Sequence, residues 1–358
     1  MSVLPSIQRA VVIKNPGKHW TAEVVSSHPI PRPGPGQALV RLTHSGVCHS
    51  DLSCINGGFG LELACDVPGH EGVGKIVAYY EGLDSSTLPP LGTRVGVPLL
   101  QRPCGTCASC GLPDGEVHCP NTKLLGSLCD GTFQQYITVY VDYMVLLPNV
   151  PGIDDAALAP TLCGGVTAYK ALKKSGAKRG DWVAVAGAGG GLGNFAVQYA
   201  VSMGFQVIGI DTGEDKRQAT LRLGAAAFID FRTTNDPPAE VMEITGGAGV
   251  QSAIVLAPSE VTYNQALQYV ALQGCLMCVG LPDGDAHLHV PPSLVCRKDI
   301  TIKGSFVGTR DDIAEALEYV VRGEVKPDIV IYPMDDVEAI FHKMEGGHIQ
   351  GRAVLDLS

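Results

Sequence analysis

The chain has 358 residues, 17% charged and 45% hydrophobic, with a formal net charge of −10. That length suits one oversized or two ordinary domains, and the acidic balance without a basic run excludes duplex nucleic acid and anionic membrane surfaces as expected partners. No stretch reaches the roughly 18 consecutive apolar residues of a membrane span, and Met1-Ser-Val-Leu-Pro-Ser-Ile-Gln-Arg9 lacks the apolar run of a secretory signal. The 12 cysteines are therefore expected in a reducing compartment, by default the cytoplasm, where thiols bind metal or pack rather than pair.

Taken in chain order, Ala10–Ile13 and Ala22–Val25 read as short strands, followed by a proline-rich turn over residues 29–36 that feeds a strand at Gln37–Thr43. Short β runs broken by Gly and Pro continue at Gly74–Tyr80, Arg94–Leu100, Gln134–Tyr140 and Met144–Leu147, the pattern of a small, mostly antiparallel β domain. Near residue 155 the texture changes to βα alternation. Strands are predicted at 182–186, 206–210, 226–230, 251–256, 275–280 and 300–302, with helices at 192–203, 214–223 and 260–273 among others. Six strands with intervening helices make a doubly wound parallel sheet, so the fold class is α/β. The tail reads as helix (311–322), strand (329–332), helix (336–345) and strand (353–356), and is expected to return to the first domain.

Two motifs carry chemistry on their own. In the first, the strand Trp182–Ala186 enters a glycine-dense turn, Gly187-Ala-Gly189-Gly190-Gly191-Leu192-Gly193, and an apolar-periodic helix leaves it. Such glycines let the backbone approach a pyrophosphate, and the helix N-terminus attracts it. The turn is one residue longer than a G-x-G-x-x-G template. Asp211, however, lies 18 residues beyond Gly193 at the end of the next strand, where a dinucleotide site wants an acid for the ribose hydroxyls. In the second, Cys104, Cys107, Cys110 and Cys119 stand close together among Gly and Pro, the ligand set of a closed, structural zinc loop.

A dispersed set follows: Gly46-Val-Cys-His-Ser-Asp51, Pro68-Gly-His-Glu-Gly72 and Leu162-Cys-Gly-Gly165. With these, with the glycine turn, and with Val279-Gly-Leu-Pro282 and Gly351-Arg352, the chain resembles the zinc-dependent alcohol dehydrogenases of the medium-chain dehydrogenase/reductase superfamily, most closely the fungal and yeast-type branch. The resemblance implies a GroES-like catalytic domain over 1–163, completed by 304–358, and a Rossmann domain over 164–303. It implies two Zn²⁺ per chain and NAD as coenzyme. Cys48, His70 and Cys163 would hold the catalytic zinc, an open set leaving one position for substrate, where the metal acts as a Lewis acid.

By the same resemblance, Asp51 orients His70 from behind, Glu71 approaches the metal from the far side, and Ser50 supplies the relay hydroxyl. His49 and Arg352 would contact the coenzyme pyrophosphate and Thr167 the nicotinamide. Lys216 and Val279 would join Asp211 and the glycine turn in holding the coenzyme. The partners implied are a small alcohol, aldehyde or ketone and further copies of the chain. A homotetramer is expected, because the short stretch between Cys119 and Cys163 leaves no room for the extra loop of dimeric animal enzymes.

The chain also departs from that family. The cysteine loop is one residue longer than usual before Cys119. Ser53 stands where many members carry a relay histidine, and a serine cannot accept a proton near neutral pH. Leu99 replaces a tryptophan of yeast-type ethanol enzymes and Ile55 a second pocket aromatic, with Phe59 a partial replacement. These changes point to medium-sized apolar or aromatic substrates. Two rival readings are a ketoreductase of specialised metabolism working towards reduction, and a catalytically silent NAD-binding protein that keeps both zincs for folding. Cys54, Cys65, Cys129, Cys275, Cys278 and Cys296 are expected to pack, and His287 and His289 have no role.

Overall fold

The computed structural model describes residues 4–60, 63–150, 152–282, 284–349 and 351–358, without the side chain of Ser85. It divides into two compact units: Met1–Cys163 with Gly308–Val321 and Pro327–Ser358, and Gly164–Val307 with Arg322–Lys326.

In the first unit the chain runs β1 (Ile7–Lys14), β2 (Thr21–Pro29), β3 (Gln37–Gly46), α1 (His49–Ile55), β4 (Glu71–Tyr79), β5 (Arg94–Val97), β6 (Leu100–Gln101), β7 (Lys123–Leu124), β8 (Tyr136–Tyr140), β9 (Val145–Leu146) and α2 (Asp155–Leu158). Pro98 cannot donate to a ladder, and the single run expected over 94–100 is split there into β5 and β6. Helix α1 had no counterpart in the β-rich reading of this region.

The second unit contains α3 (Gly164–Ser175), β10 (Trp182–Ala186), α4 (Gly191–Ser202), β11 (Gln206–Asp211), α5 (Glu214–Arg222), β12 (Ala227–Asp230), α6 (Pro237–Ile244), β13 (Val250–Val255), α7 (Glu260–Tyr269), β14 (Val270–Cys278), α8 (Pro292–Lys298) and β15 (Thr301–Gly304). Its six strands are all parallel, in the order β12-β11-β10-β13-β14-β15. The order reverses between β10 and β13, the point at which open α/β sheets bind ligands. Helix α7 is shorter than the expected 260–273, because Val270 is already extended and opens β14.

The tail supplies α9 (Arg310–Val321), β16 (Ile329–Pro333), α10 (Val337–Glu345) and β17 (Arg352–Asp356). Strand β17 pairs with β16 and, antiparallel, with β3, so the chain's last strand lies in the seven-stranded sheet of the first unit. Each unit has its own core. Val40, Leu42, Ile76, Val95, Phe133, Phe341 and Leu355 meet in the first, and Ala184, Ile208, Ile254, Ala266 and Leu276 are buried in the second. None of the helices among the described residues is long and apolar enough to cross a membrane.

Candidate active site and coenzyme cradle

Cys48 caps the N-terminus of α1 in extended conformation, and its N–H donates to Asp51 Oδ2 at 2.9 Å. The other Asp51 oxygen lies 2.7 Å from His70 Nδ1, with both side chains buried. One carboxylate therefore fixes the helix end and the imidazole together. The ring's Nε2 is buried and has no hydrogen-bond partner among the described residues. Ligand atoms of Cys48, His70, Glu71 and Cys163 all lie within 4.8 Å of one another.

Their electrostatics suit a cation. A hydrogen bond from Cys163 holds the Cys48 thiol well below its ordinary range, and the same contact, with burial, pushes Cys163 well above it. Burial works against charge on His70, yet Asp51 and Cys48 raise it well above the usual imidazole range. The buried thiols of Cys48 and Cys163, beside a His70 Nε2 with no hydrogen-bond partner among the described residues, fit Zn²⁺.

Glu71 lies at the start of β4, opposite Gly46 on β3, where a Cβ would run into its Oε2. Arg352 Nη2 donates to both Glu71 oxygens at 2.7 and 2.6 Å and to the Val47 carbonyl at 3.2 Å. Burial pushes the Glu71 carboxyl up to about 7 while the guanidinium pulls it back, and Arg352 itself is held charged by that carboxylate. Arg352, expected on the pyrophosphate, is thus only 4% exposed and engaged through Nη2, with Nη1 lacking a hydrogen-bond partner among the described residues.

The remaining residues of α1 point different ways. His49 is exposed, Ser50 and Ser53 are half-buried, and Leu52 and Ile55 face the core. The Cys48 thiol donates to Ser50 Oγ, with Sγ and Oγ 3.6 Å apart. Ile55 is fully buried in the hydrophobic cluster of the first unit, which corrects its assignment to a substrate pocket wall. Its position three residues after Leu52 puts it on the inward stripe of the helix. Phe59, 40% exposed, is the large apolar side chain that this segment presents to solvent. Leu99 is half-buried at the bend between β5 and β6, its carbonyl accepting the Leu125 N–H at 2.9 Å.

The sulfur atoms of Cys104, Cys107, Cys110 and Cys119 also lie within 4.8 Å of one another. Backbone N–H groups point at them, from Cys104 to Cys119 Sγ at 3.3 Å and from Cys110 to Cys107 Sγ at 3.5 Å. Asn121, Thr106 and the Cys107 N–H hold Cys104 down at about 5, while burial and the neighbouring thiols push Cys110 up to about 12. Between Cys110 and Cys119, Asp114 takes a left-handed conformation (φ 56°). Four sulfurs gathered in this way fit a closed zinc site.

In the second unit, Gly187 is left-handed (φ 90°) and a Cβ at Gly193 would collide with the Gly187 carbonyl. Gly190 caps α4, which begins at Gly191 and carries Leu192, half-buried, and Gly193, buried, in its first turn. A Cβ at Gly189 would come within 2.6 Å of the Lys216 side chain. Asp211, at the end of β11, accepts from the Gly189 N–H and Lys216 Nζ, each at 2.9 Å. Bare backbone, a helix N-terminus and an acid at the neighbouring strand end fit a dinucleotide. Thr167 lies buried on α3, and Val279 follows β14 with its N–H on the Tyr263 hydroxyl at 3.1 Å.

Among the other cysteines, Cys275 is buried in β14 as expected, whereas Cys296 is exposed on α8, which corrects its assignment to packing. The sequence reading passed over Asp230, which pairs in register with Asp211. The available signal was that β11 and β12 both end in Ile-Asp.

The family model "Alcohol dehydrogenase GroES-like domain" matches residues 34–149 and "Zinc-binding dehydrogenase" matches 191–322. The chain is similar to Alcohol dehydrogenase 1 of Neurospora crassa, 40% identical with 99% of this chain and 98% of that one covered. It is 38% identical to Alcohol dehydrogenase 1 of Emericella nidulans, with 99% of both covered. Among solved structures it is similar to acetophenone reductase from Geotrichum candidum in complex with NAD (TM-score 0.85, 30% identity, 99% and 98% covered). It is also similar to the alcohol dehydrogenase of Aeropyrum pernix (TM-score 0.86, 29% identity, 97% and 99% covered). Matched by both family models and by relatives along almost its whole length, this protein belongs to the zinc-binding alcohol dehydrogenase family.

Proposed function

We propose that this enzyme interconverts medium-sized apolar or aromatic alcohols with their aldehydes or ketones. The NAD-linked alcohol–carbonyl reaction is that of its family. The observation that carries the assignment is the buried cluster of Cys48, His70, Glu71 and Cys163, with the His70 Nε2 unpartnered among the described residues.

Cys48, His70 and Cys163 would hold the zinc, with Glu71 in the same cluster. When bound, the metal would supply Lewis acidity towards the substrate oxygen and the coenzyme would supply hydride chemistry. Asp51 fixes the His70 ring so that Nε2 faces the metal position. Ser50 takes the substrate's hydroxyl proton outward, towards the coenzyme ribose and water. In the second unit the Gly187–Gly193 turn takes the pyrophosphate, Asp211 and Lys216 the ribose, and Thr167 and Val279 the nicotinamide; by family resemblance His49 and Arg352 of the first unit would also contact the pyrophosphate.

Substrate size rests on Leu99, which leaves more room than a tryptophan would, with Phe59 a partial replacement. The likeness to an acetophenone reductase favours a second reading in which the reaction runs towards reduction of an aromatic ketone. A cytoplasmic homotetramer is the expected state. The four residues of β15 are exposed at the edge of the sheet, with no further strand beside them among the described residues, an edge that a second copy can extend.

NADH consumption measured on acetaldehyde, hexanal, benzaldehyde and acetophenone, with and without chelator, tests the proposal. kcat/KM is expected to rise from acetaldehyde to the larger substrates, and Leu99→Trp to reverse the trend by about tenfold or more. A wild type that works best on acetaldehyde overturns the size assignment. No chelator-sensitive turnover on any substrate, with NADH still bound, favours the silent NAD-binding protein.

A further inference from the structure

The carboxyl ends of β11 and β12 lie side by side, with Asp211 and Asp230 as register partners. Three backbone N–H groups converge there, and each is taken by a carboxylate of the protein itself. Thr212 donates to Asp211 Oδ1 at 2.8 Å, Gly213 to Asp230 Oδ2 at 2.9 Å and Arg232 to Asp230 Oδ1 at 2.9 Å. Gly213 takes a φ of 101° and is the residue from which α5 departs. A strained turn with its N–H groups displayed at a helix start is the kind of backbone that cradles a phosphate.

In a dinucleotide fold the acid ending the second strand binds the adenosine ribose, and an extra 2′-phosphate would lie beside it. Both oxygens of Asp211 are already occupied, by the Thr212 and Gly189 N–H groups and by Lys216. Lys216 also offsets part of its charge, so Asp211 by itself is a weakened barrier to a 2′-phosphate. The amide donors of Gly213 and Arg232 are removed from competition by Asp230 instead.

We propose that Asp230 is a coenzyme-selectivity residue, which occupies the amide donors a 2′-phosphate would need and places a second negative charge beside the ribose-binding Asp211. The inference rests on the glycine turn and Asp211 being the coenzyme cradle. Asp230 acts by positioning the Thr212–Gly213 turn and by its field, without touching the reacting atoms. Its carboxyl is held below the usual range by the Gly213 and Arg232 N–H groups, so it is charged at neutral pH. The first turn of α5 adds Glu214 and Asp215, and Arg217 lies 3.6 Å from Glu214 rather than free for a phosphate.

The test is fluorescence titration of the zinc-loaded full chain with NADH and with NADPH, in the wild type, Asp230→Asn, Asp211→Ser and the double variant. Asp230→Asn removes the charge at constant shape and is expected to tighten NADPH by roughly tenfold, with a smaller change for NADH. Asp211→Ser alone is expected to narrow the selectivity while NADH stays preferred, and the double variant to prefer NADPH. Equal shifts for both coenzymes in Asp230→Asn would show a merely structural role and overturn the proposal, as would unchanged NADPH binding. Should Asp230→Asn fail to fold, Asp211→Ser decides: equal binding of the two coenzymes overturns the proposal, and retained NADH preference supports it. A wild type that binds no NADH overturns the cradle itself and the inference with it.

Discussion

The two ligand clusters of the first unit are alike in size and opposite in construction. Cys104, Cys107, Cys110 and Cys119 come from one loop, carry no carboxylate or imidazole, and run from exposed to buried. Cys48, the adjacent His70 and Glu71, and Cys163 come from three places in the chain and are all buried. The loop gathers its sulfurs with nearby backbone N–H groups, so a metal there chiefly closes the loop. The dispersed set is held by the fold: Asp51 ties α1 to His70, and Arg352 on the last strand ties Glu71 to the same sheet. A cluster made by the fold can leave one ligand position open without collapsing, and catalysis requires that opening.

The contrast predicts unequal responses to damage. Cys48→Ala is expected to lower kcat/KM by about four orders of magnitude, the scale of several kcal/mol of lost Lewis-acid stabilisation. Zinc content should fall from about two to about one per chain with the thermal midpoint little changed. Phenanthroline should likewise remove activity before it unfolds the protein. An active Cys48→Ala enzyme with unchanged zinc would erase the distinction between the clusters.

Cys119→Ser should show the reverse. Loss of a closed structural site is expected to lower the thermal midpoint by about 10 °C, while activity per folded molecule falls far less. Calorimetry with an active-site titration separates the two quantities. A midpoint equal to that of the wild type would mean that the loop holds its shape without metal.

Asp51→Asn probes the support that only the dispersed cluster has. Loss of the charge behind His70 is expected to cost about 10–100-fold in metal affinity or activity. Zinc competition assays should show this loss at one of the two sites. Equal weakening at both would point to general destabilisation.

The smallest effect concerns the proton exit, which the closed loop does not need. With Ser53 in place of a basic relay group, alcohol oxidation should climb across roughly pH 7 to 9. Ser53→His should raise the rate near neutral pH by about tenfold where proton delivery is limiting. A primary deuterium isotope effect on both forms checks that coenzyme release is not masking the step. If chemistry is exposed and neither the rate nor the pH profile moves, the proton leaves by another path.

The local features of this chain were legible from sequence because local rules produce them. A strand, a glycine turn and a helix follow from β-branched residues, positive φ and apolar periodicity, and each lies within about twenty residues. Four closely spaced cysteines among Gly and Pro can hardly avoid one another. The family resemblance then supplied the dispersed ligands by motif, which periodicity alone could not have done. Tertiary structure decided which face each side chain turns. Ile55 and Phe59 are both apolar and four residues apart, yet the inward stripe of α1 buries the first in the core, while Phe59, beyond the helix end, is half in solvent. It also decided that Arg352 spends one nitrogen on Glu71, 281 positions earlier in the chain. The alignment of Asp230 with Asp211 was likewise set by the pairing of β11 and β12. Such contacts depend on which strands become neighbours, and strand order is set by global packing rather than by any local run of residues.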